Sequence, residues 1–184
     1  MIRPVYIYGS PVLRKVAQDI DSTYPDIKQL IEDMFETMYH SDGVGLAAPQ
    51  IGLSIRLIVI DASPMEEDDP ALKDFKKVFI NAKIIERFGE KVLFKEGCLS
   101  IPNLREEVER ESSVRIQYLD ENFIPHDEVF EGIPARVIQH EYDHLEGVMF
   151  TDRLSVLRRK LIGGKLNSIS KGKFDIDYKF RLAK

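Results

Sequence analysis

The stretch Gln139-His140-Glu141-Tyr142-Asp143-His144-Leu145-Glu146-Gly147 holds two histidines four residues apart, with a glutamate directly after the first. On an α-helix, positions i and i+4 share one face, with Cβ atoms about 5–6 Å apart. Two imidazoles so placed can grip one metal ion. Glu141 lies near that face, where a carboxylate serves a water molecule rather than the ion. Pro134 suits a first helical turn and Gly147 a C′ position. Val137, Ile138, Leu145 and Val148 give the segment an apolar side. Two hydrogen-bonded core histidines would fit the same letters, so the rest of the chain must decide.

The 184 residues contain no evident linker and read as a single domain, 1–184. A chain of this length buries about 70% of its unfolded surface, so it needs no staples. No apolar run approaches the ~18 residues of a membrane span. Met1 to Tyr8 lacks the apolar core of a signal peptide. Cys98 is the single cysteine, which leaves no internal disulfide and points to a reducing cytoplasm. A net charge of −5 argues against an extensive nucleic-acid surface. Lysine and arginine nevertheless dominate from Arg158 to Lys184, a basic segment that suits a ribosome contact as well as a solvated helix face.

Ile27, Leu30, Ile31, Met34, Phe35 and Met38 recur at helical spacing, which predicts a core-facing helix over 26–40. Asp26 is a candidate cap or first-turn acid, and His40 falls at the helix end. Gly43-Val44-Gly45 then breaks the pattern. It follows a helix rather than a strand, and Ala48 occupies the third glycine position, so a dinucleotide fingerprint fails. Residues 56–61 read as a buried strand. Residues 63–77, with Glu66-Glu67-Asp68-Asp69-Pro70, read as a solvated acidic loop without calcium-loop spacing. Strands are expected over 78–88 and again from 91–94 into Glu96-Gly97-Cys98-Leu99-Ser100, with Pro102 ending the latter. Val108, Val114, Ile116 and Tyr118 give further strand signals, and 123–130 can return as a hairpin partner after a turn at 120–122. A last helix over 154–169 would turn Leu154, Leu157, Leu161 and Leu166 inward. The order argues α+β, with antiparallel sheets packed around a central metal-binding H-E-x-x-H helix.

A catalytic site of this type takes three protein ligands. H-E-x-x-H proteases draw the third, glutamate or histidine, from downstream. Neither residue type occurs after Glu146. Asp152 is the one nearby downstream acid and would complete an endopeptidase with His140 and His144. Upstream candidates are Cys98, His126 and His40. A structural zinc module is disfavoured, because closed sites usually show four ligands, mostly cysteine.

The chain resembles the peptide deformylases, in the bacterial type with a C-terminal helix. The resemblance rests on G-x-G-x-A-A-x-Q at 43–50, E-G-C-x-S at 96–100 and Q-H-E-x-D-H-x-x-G at 139–147. It covers roughly residues 1–165 and leaves the acidic insert 63–77 and an extra tail, about 170–184, touching no motif. It implies removal of the formyl group from N-formyl-methionyl nascent peptides. One divalent metal would be held by Cys98, His140 and His144. The family's bacterial members favour Fe2+, and Zn2+, Ni2+ or Co2+ suit the same ligands. Glu141 would be the general base and acid, with Gln50 and the Leu99 N–H donating to the oxyanion. Gly43, Val44, Gly45 and Gly97 would line an extended peptide. Val44, Leu99, Ile133 and Val137 would hold the methionine side chain, and Glu96 and Arg105 would frame the site. Asp143 is assigned a supporting role rather than ligation.

Overall fold

The apolar stripe from Ile27 forms α1 (Ile27–His40) in the computed structural model, which describes residues 1–183. Lys184 of the basic segment lies outside the described residues. All six expected stripe residues are buried. Asp26 stands at the N-cap position with a φ of 52° and makes no side-chain cap bond, so the helix starts without the expected carboxylate cap. A second acid on α1 does the anchoring. Asp33, 3% exposed at its side chain, accepts from Arg3 Nη2 at 2.8 Å and from Gln29 Nε2 at 3.0 Å.

Strands β2 (Gly45–Ala47), β3 (Leu57–Asp61), β4 (Lys76–Cys98), β5 (Ile101–Leu119) and β6 (Pro125–Glu131) form one antiparallel sheet in that order. Every residue of β3 is buried, and its alternation explains why. Leu57 and Val59 pack with α1, whereas Ile58 and Ile60 pack with α2 (Gly132–Leu145) on the other face. A short parallel pair, β1 (Val5–Tyr6) with β7 (Phe180–Arg181), lies apart from this sheet. Between α2 and β7 comes α3 (Val156–Ser170). No helix among the described residues is long and apolar enough to cross a membrane.

Several expected boundaries shift. The two strands expected over 78–94 are one, β4, whose register slips between Phe88 and Lys91. Pro102 does not end a strand. It lies inside β5, where Gly97 pairs with Arg105 but Cys98 already pairs with Ile101. Residues 102–104 therefore bulge without partners on β4, so the missing proline N–H breaks no ladder bond. The return strand begins at Pro125, because Phe123 turns with a φ of 60°. The acidic loop is only partly solvated. Leu72 is fully buried, and Met65 and Phe75 pack on the core. Of the leucines expected inward from 154–169, Leu154 and Leu166 are buried, but Leu157 and Leu161 are 70% and 67% exposed, and Ile162 and Ile169 face inward in their place.

Burial pushes the Asp33 carboxyl up, but the N-terminal amine, Gln29 and Arg3 outweigh it and hold it at about 2, below its ordinary 3.8. A depressed carboxylate contributes stability above its unfolded value and loses it as pH falls through the folded one. Asp33→Asn should therefore lower the melting temperature at pH 7. The gap should narrow below about pH 4 and close near pH 2. A gap of constant size across thermal melts from pH 7 to 2.5 would contradict this account of Asp33.

Candidate metal centre and its cavity

Helix α2 presents two faces to the site. Ile133, Val137 and Glu141, at i, i+4 and i+8, line a cavity of about 870 Å³. Arg136, His140 and Asp143 turn towards β4 and β5 and are buried. His140 and His144 lie on adjacent turns with ring centroids 5.3 Å apart. Cys98 reaches them from the last residue of β4, ahead of a two-residue turn, Leu99-Ser100, into β5. The ligand atoms of Cys98, His140 and His144 lie within 4.8 Å of one another. His126 belongs instead to Asp120, at 2.8 Å, and His40 is exposed at the end of α1. Asp152 accepts from Arg14 Nη1 at 2.5 Å and from the Met149 N–H at 2.8 Å, and it is not part of the cluster.

The donor chemistry fits a divalent transition-metal ion. Burial pushes the Cys98 thiol up, but the charge of His144 and hydrogen bonds from both histidines bring it down to about 5. The thiolate is therefore the form present at neutral pH. Burial lowers the His140 pKa, and contacts with Cys98 and Glu96 more than reverse that. His140 Nδ1 is 2.8 Å from Glu96 Oε2, which leaves Nε2 for ligation. Burial raises the Glu141 pKa. Its Oε2 is buried without a hydrogen-bond partner and belongs to a residue lining the cavity.

Gly45 has a steric reason to be glycine. A Cβ there would sit 2.6 Å from Glu141 Oε1. Gly147 has a conformational one, with a φ of 70° just past the helix end. Gln50 resolves two readings at once. Its Oε1 accepts from the Ala47 N–H at 2.8 Å, as a loop cap would. That bond turns Nε2 towards Cys98 Sγ at 3.5 Å and Ser100 Oγ at 3.3 Å. Gly43, Val44, Gly97, Leu99 and Arg105 line the same cavity. Gly45 begins β2, one of the two edge strands of the sheet.

Glu96 also borders the cavity, but its carboxylate is committed to the protein. Besides His140 it accepts from Arg110 Nε at 2.6 Å and Nη2 at 3.0 Å, and from Arg136 Nη1 at 3.0 Å. Burial opposes its charge, yet these partners hold its pKa well below the carboxylate range. Glu96 thus borders the cavity while its carboxylate holds His140 Nδ1 and two arginines. Arg110, 1% exposed, also donates to Asp143 Oδ2 at 2.8 Å, and Arg153 clamps the same carboxylate. Sequence reasoning missed Arg110 and Arg136. The available signal was an arginine at an inward position of β5, in step with Leu104, Glu106 and Val108. The tail also departs from expectation. Tyr178 Oη donates to the Leu99 carbonyl at 2.8 Å, so the tail does touch a motif.

Glu96→Gln removes the charged acceptor that orients His140. We expect the affinity for a divalent ion to fall about 10–100-fold. Competition against a chelator, on protein shown folded by circular dichroism, measures this. An unchanged affinity would count against the role given to Glu96.

Comparison with known proteins identifies the family. The family model described as polypeptide deformylase matches residues 2–160. A peptide deformylase of Christiangramia forsetii is 52% identical over 98% of this chain and 96% of its own length. One from Flavobacterium johnsoniae is 53% identical over 100% of this chain and 97% of its own, so the tail falls within the matched span. The crystal structure of a peptide deformylase from Legionella pneumophila superposes with a TM-score of 0.80 at 38% identity, covering 94% of this chain and 98% of that one. The chain belongs to the polypeptide deformylase family and is an enzyme of that family.

Proposed function

We propose that this enzyme removes the N-formyl group from formyl-methionine at the start of newly made polypeptides, in the cytoplasm, as one catalytic domain. The observation that carries the reading is Glu141. Its buried, unpartnered Oε2 stands beside the Cys98, His140 and His144 donors. Those three residues would hold the divalent ion, iron(II) natively, with zinc, nickel or cobalt able to replace it. When bound, the ion supplies Lewis acidity that polarises the formyl carbonyl and makes water a stronger acid.

Glu141 takes a proton from the attacking water and returns it to the leaving amine. The raised pKa of Glu141 suits a group that must both accept and release a proton. Gln50 Nε2 and the Leu99 N–H donate to the oxygen that becomes negative. Its own bond to Ala47 fixes the direction of the Gln50 amide before substrate arrives. The formyl carbon carries only hydrogen, so a tight site excludes larger acyl groups by clash. Gly43 and Val44, leading into β2, and Gly45 at its start pair with an extended peptide backbone, with Gly97 opposite. Val44, Leu99, Ile133 and Val137 take the methionine side chain, and Arg105 borders the path of the following residues.

Glu141→Ala should keep its metal and lose at least about 100-fold in formate release from a formyl-methionyl peptide, assayed anaerobically. Cys98→Ser should lose the metal itself. Metal-replete wild-type protein that releases no formate would sink the assignment. A Cys98→Ser protein with full metal occupancy would sink the ligand set.

The same reading includes a ribosome contact through the basic C-terminal segment. Its support is the exposed face of α3, where Arg159, Lys160 and Lys165 surround exposed Val156, Leu157 and Leu161. Deleting α3 would be uninformative, because Ile162, Leu166 and Ile169 belong to the core. Reversing Arg159, Lys160 and Lys165 to glutamate leaves that core intact and should reduce co-sedimentation with ribosomes. Equal pelleting of variant and wild type would end the idea.

A further inference from the structure

Leu99 sits in the two-residue turn between β4 and β5, and such a turn lacks the ladder bonds that fix a strand. Its neighbours are held. Cys98 pairs with Ile101 across the hairpin. The Ser100 carbonyl accepts from the Tyr8 N–H at 2.8 Å. The carbonyl of Leu99 is held by a side chain from far along the sequence, through the 2.8 Å bond from Tyr178 Oη.

Tyr178 is itself fixed on both sides. After it, the Val5 N–H donates to the Lys179 carbonyl at 2.9 Å and the Ile7 N–H to the Arg181 carbonyl at 3.0 Å. Before it, Asp175 and Asn103 exchange bonds of 3.2 and 3.4 Å. Phe174 and Phe180 stack edge to face at 5.0 Å, and Phe174 and Leu182 pack on the core around α3. Alternation along this segment places Ile176 and Tyr178 in the cavity wall, while Asp175, Asp177 and Lys179 stay exposed.

We propose that Tyr178 is a positioning residue for deformylation, its hydroxyl pinning Leu99 so that the Leu99 N–H stays aimed at the reacting carbonyl oxygen. This rests on the function proposed above. The N–H and C=O of one residue are linked only through its own φ and ψ. Holding the carbonyl while the hairpin holds Cys98 therefore restricts both torsions. A hydrogen-bond donor to a developing oxyanion is effective only when aimed beforehand. A small misplacement in such a site costs rate, up to about 100-fold for 1 Å.

Tyr178→Phe tests this with the ring and its packing retained. Kinetics with a formyl-methionyl tripeptide are normalised to bound metal, and hydrogen exchange of the Leu99 amide is read in substrate-free protein. We expect kcat to fall about tenfold with KM changed less than about threefold, and the Leu99 amide to exchange several-fold faster. A purely structural tail would lower thermal stability or metal content and leave kcat per bound metal unchanged. Turnover per metal within about twofold of wild type, or unaltered exchange at Leu99, overturns the proposal. Wild-type protein that releases no formate overturns the deformylase reading instead, and the exchange comparison then reports on the contact alone.

Discussion

Arg110 is buried to 1% exposure and lies between two buried carboxylates, Glu96 on β4 and Asp143 on α2. Taking one guanidinium and two carboxylates out of water costs several kcal/mol per ion. The cost is offset only because almost every polar atom finds a partner. Arg136 shares Glu96, Arg153 shares Asp143, and His140 takes the remaining lone pair of Glu96. Removing Arg110 breaks the fully buried pairs with both Glu96 and Asp143, a loss that is destabilising by about 3–5 kcal/mol. The network thus fixes the distance between β4, β5 and α2 more tightly than aliphatic packing would. That distance sets whether the thiol at the end of β4 meets the imidazoles on α2.

The three candidate ligands come from a helix and the end of a strand rather than from loops. Helix α2 supplies His140, Glu141 and His144 from consecutive turns, so their relative geometry is that of an α-helix. The β4–β5 hairpin supplies Cys98, Leu99 and, through Glu96, the orientation of His140. Gln50 comes from a short 3-10 turn, Ala48–Ile51, directly after β2. Its amide is held at one end by its own loop, so it presents one fixed donor. Groups held this way need no reorganisation when charge develops, which is the condition for electrostatic stabilisation.

The helix face was legible because its signal is local. Residues 139–147 obey one period, and the six apolar positions of α1 obey the same one. Downstream glutamate and histidine were missing, which pointed upstream, and the resemblance carried by three motifs in order then picked out Cys98. The ion network was not legible, because its contacts span 14, 33 and 44 residues between strands whose register slips repeatedly. Each slip changes which side chain faces which, and no single-sequence period encodes it. The error at α3 has another cause. Leu157 and Leu161 satisfy helical spacing as well as Ile162, Leu166 and Ile169 do, and only the position of Ile7, Leu104 and Val108 decides which stripe is buried. The tail was invisible for a related reason. A two-residue strand gives almost no pattern, and its partner lies some 175 residues earlier.

That long-range pairing has a consequence for the site. Residues 5–8 bind the hairpin turn at the Ser100 carbonyl and also bind the segment that carries Tyr178 to the Leu99 carbonyl. The turn beside Cys98 is therefore held from behind by two segments that hold each other. A perturbation of the segment carrying Tyr178 reaches Leu99 through one hydrogen bond, and it reaches Cys98 through the peptide bond that joins the two residues. The candidate ligands on α2 are braced by the buried ion network, whereas the turn that carries Leu99 is braced by the paired terminal strands. Cys98 stands where the two supports meet, so a displacement of the turn is felt at the thiol as well as at the Leu99 N–H.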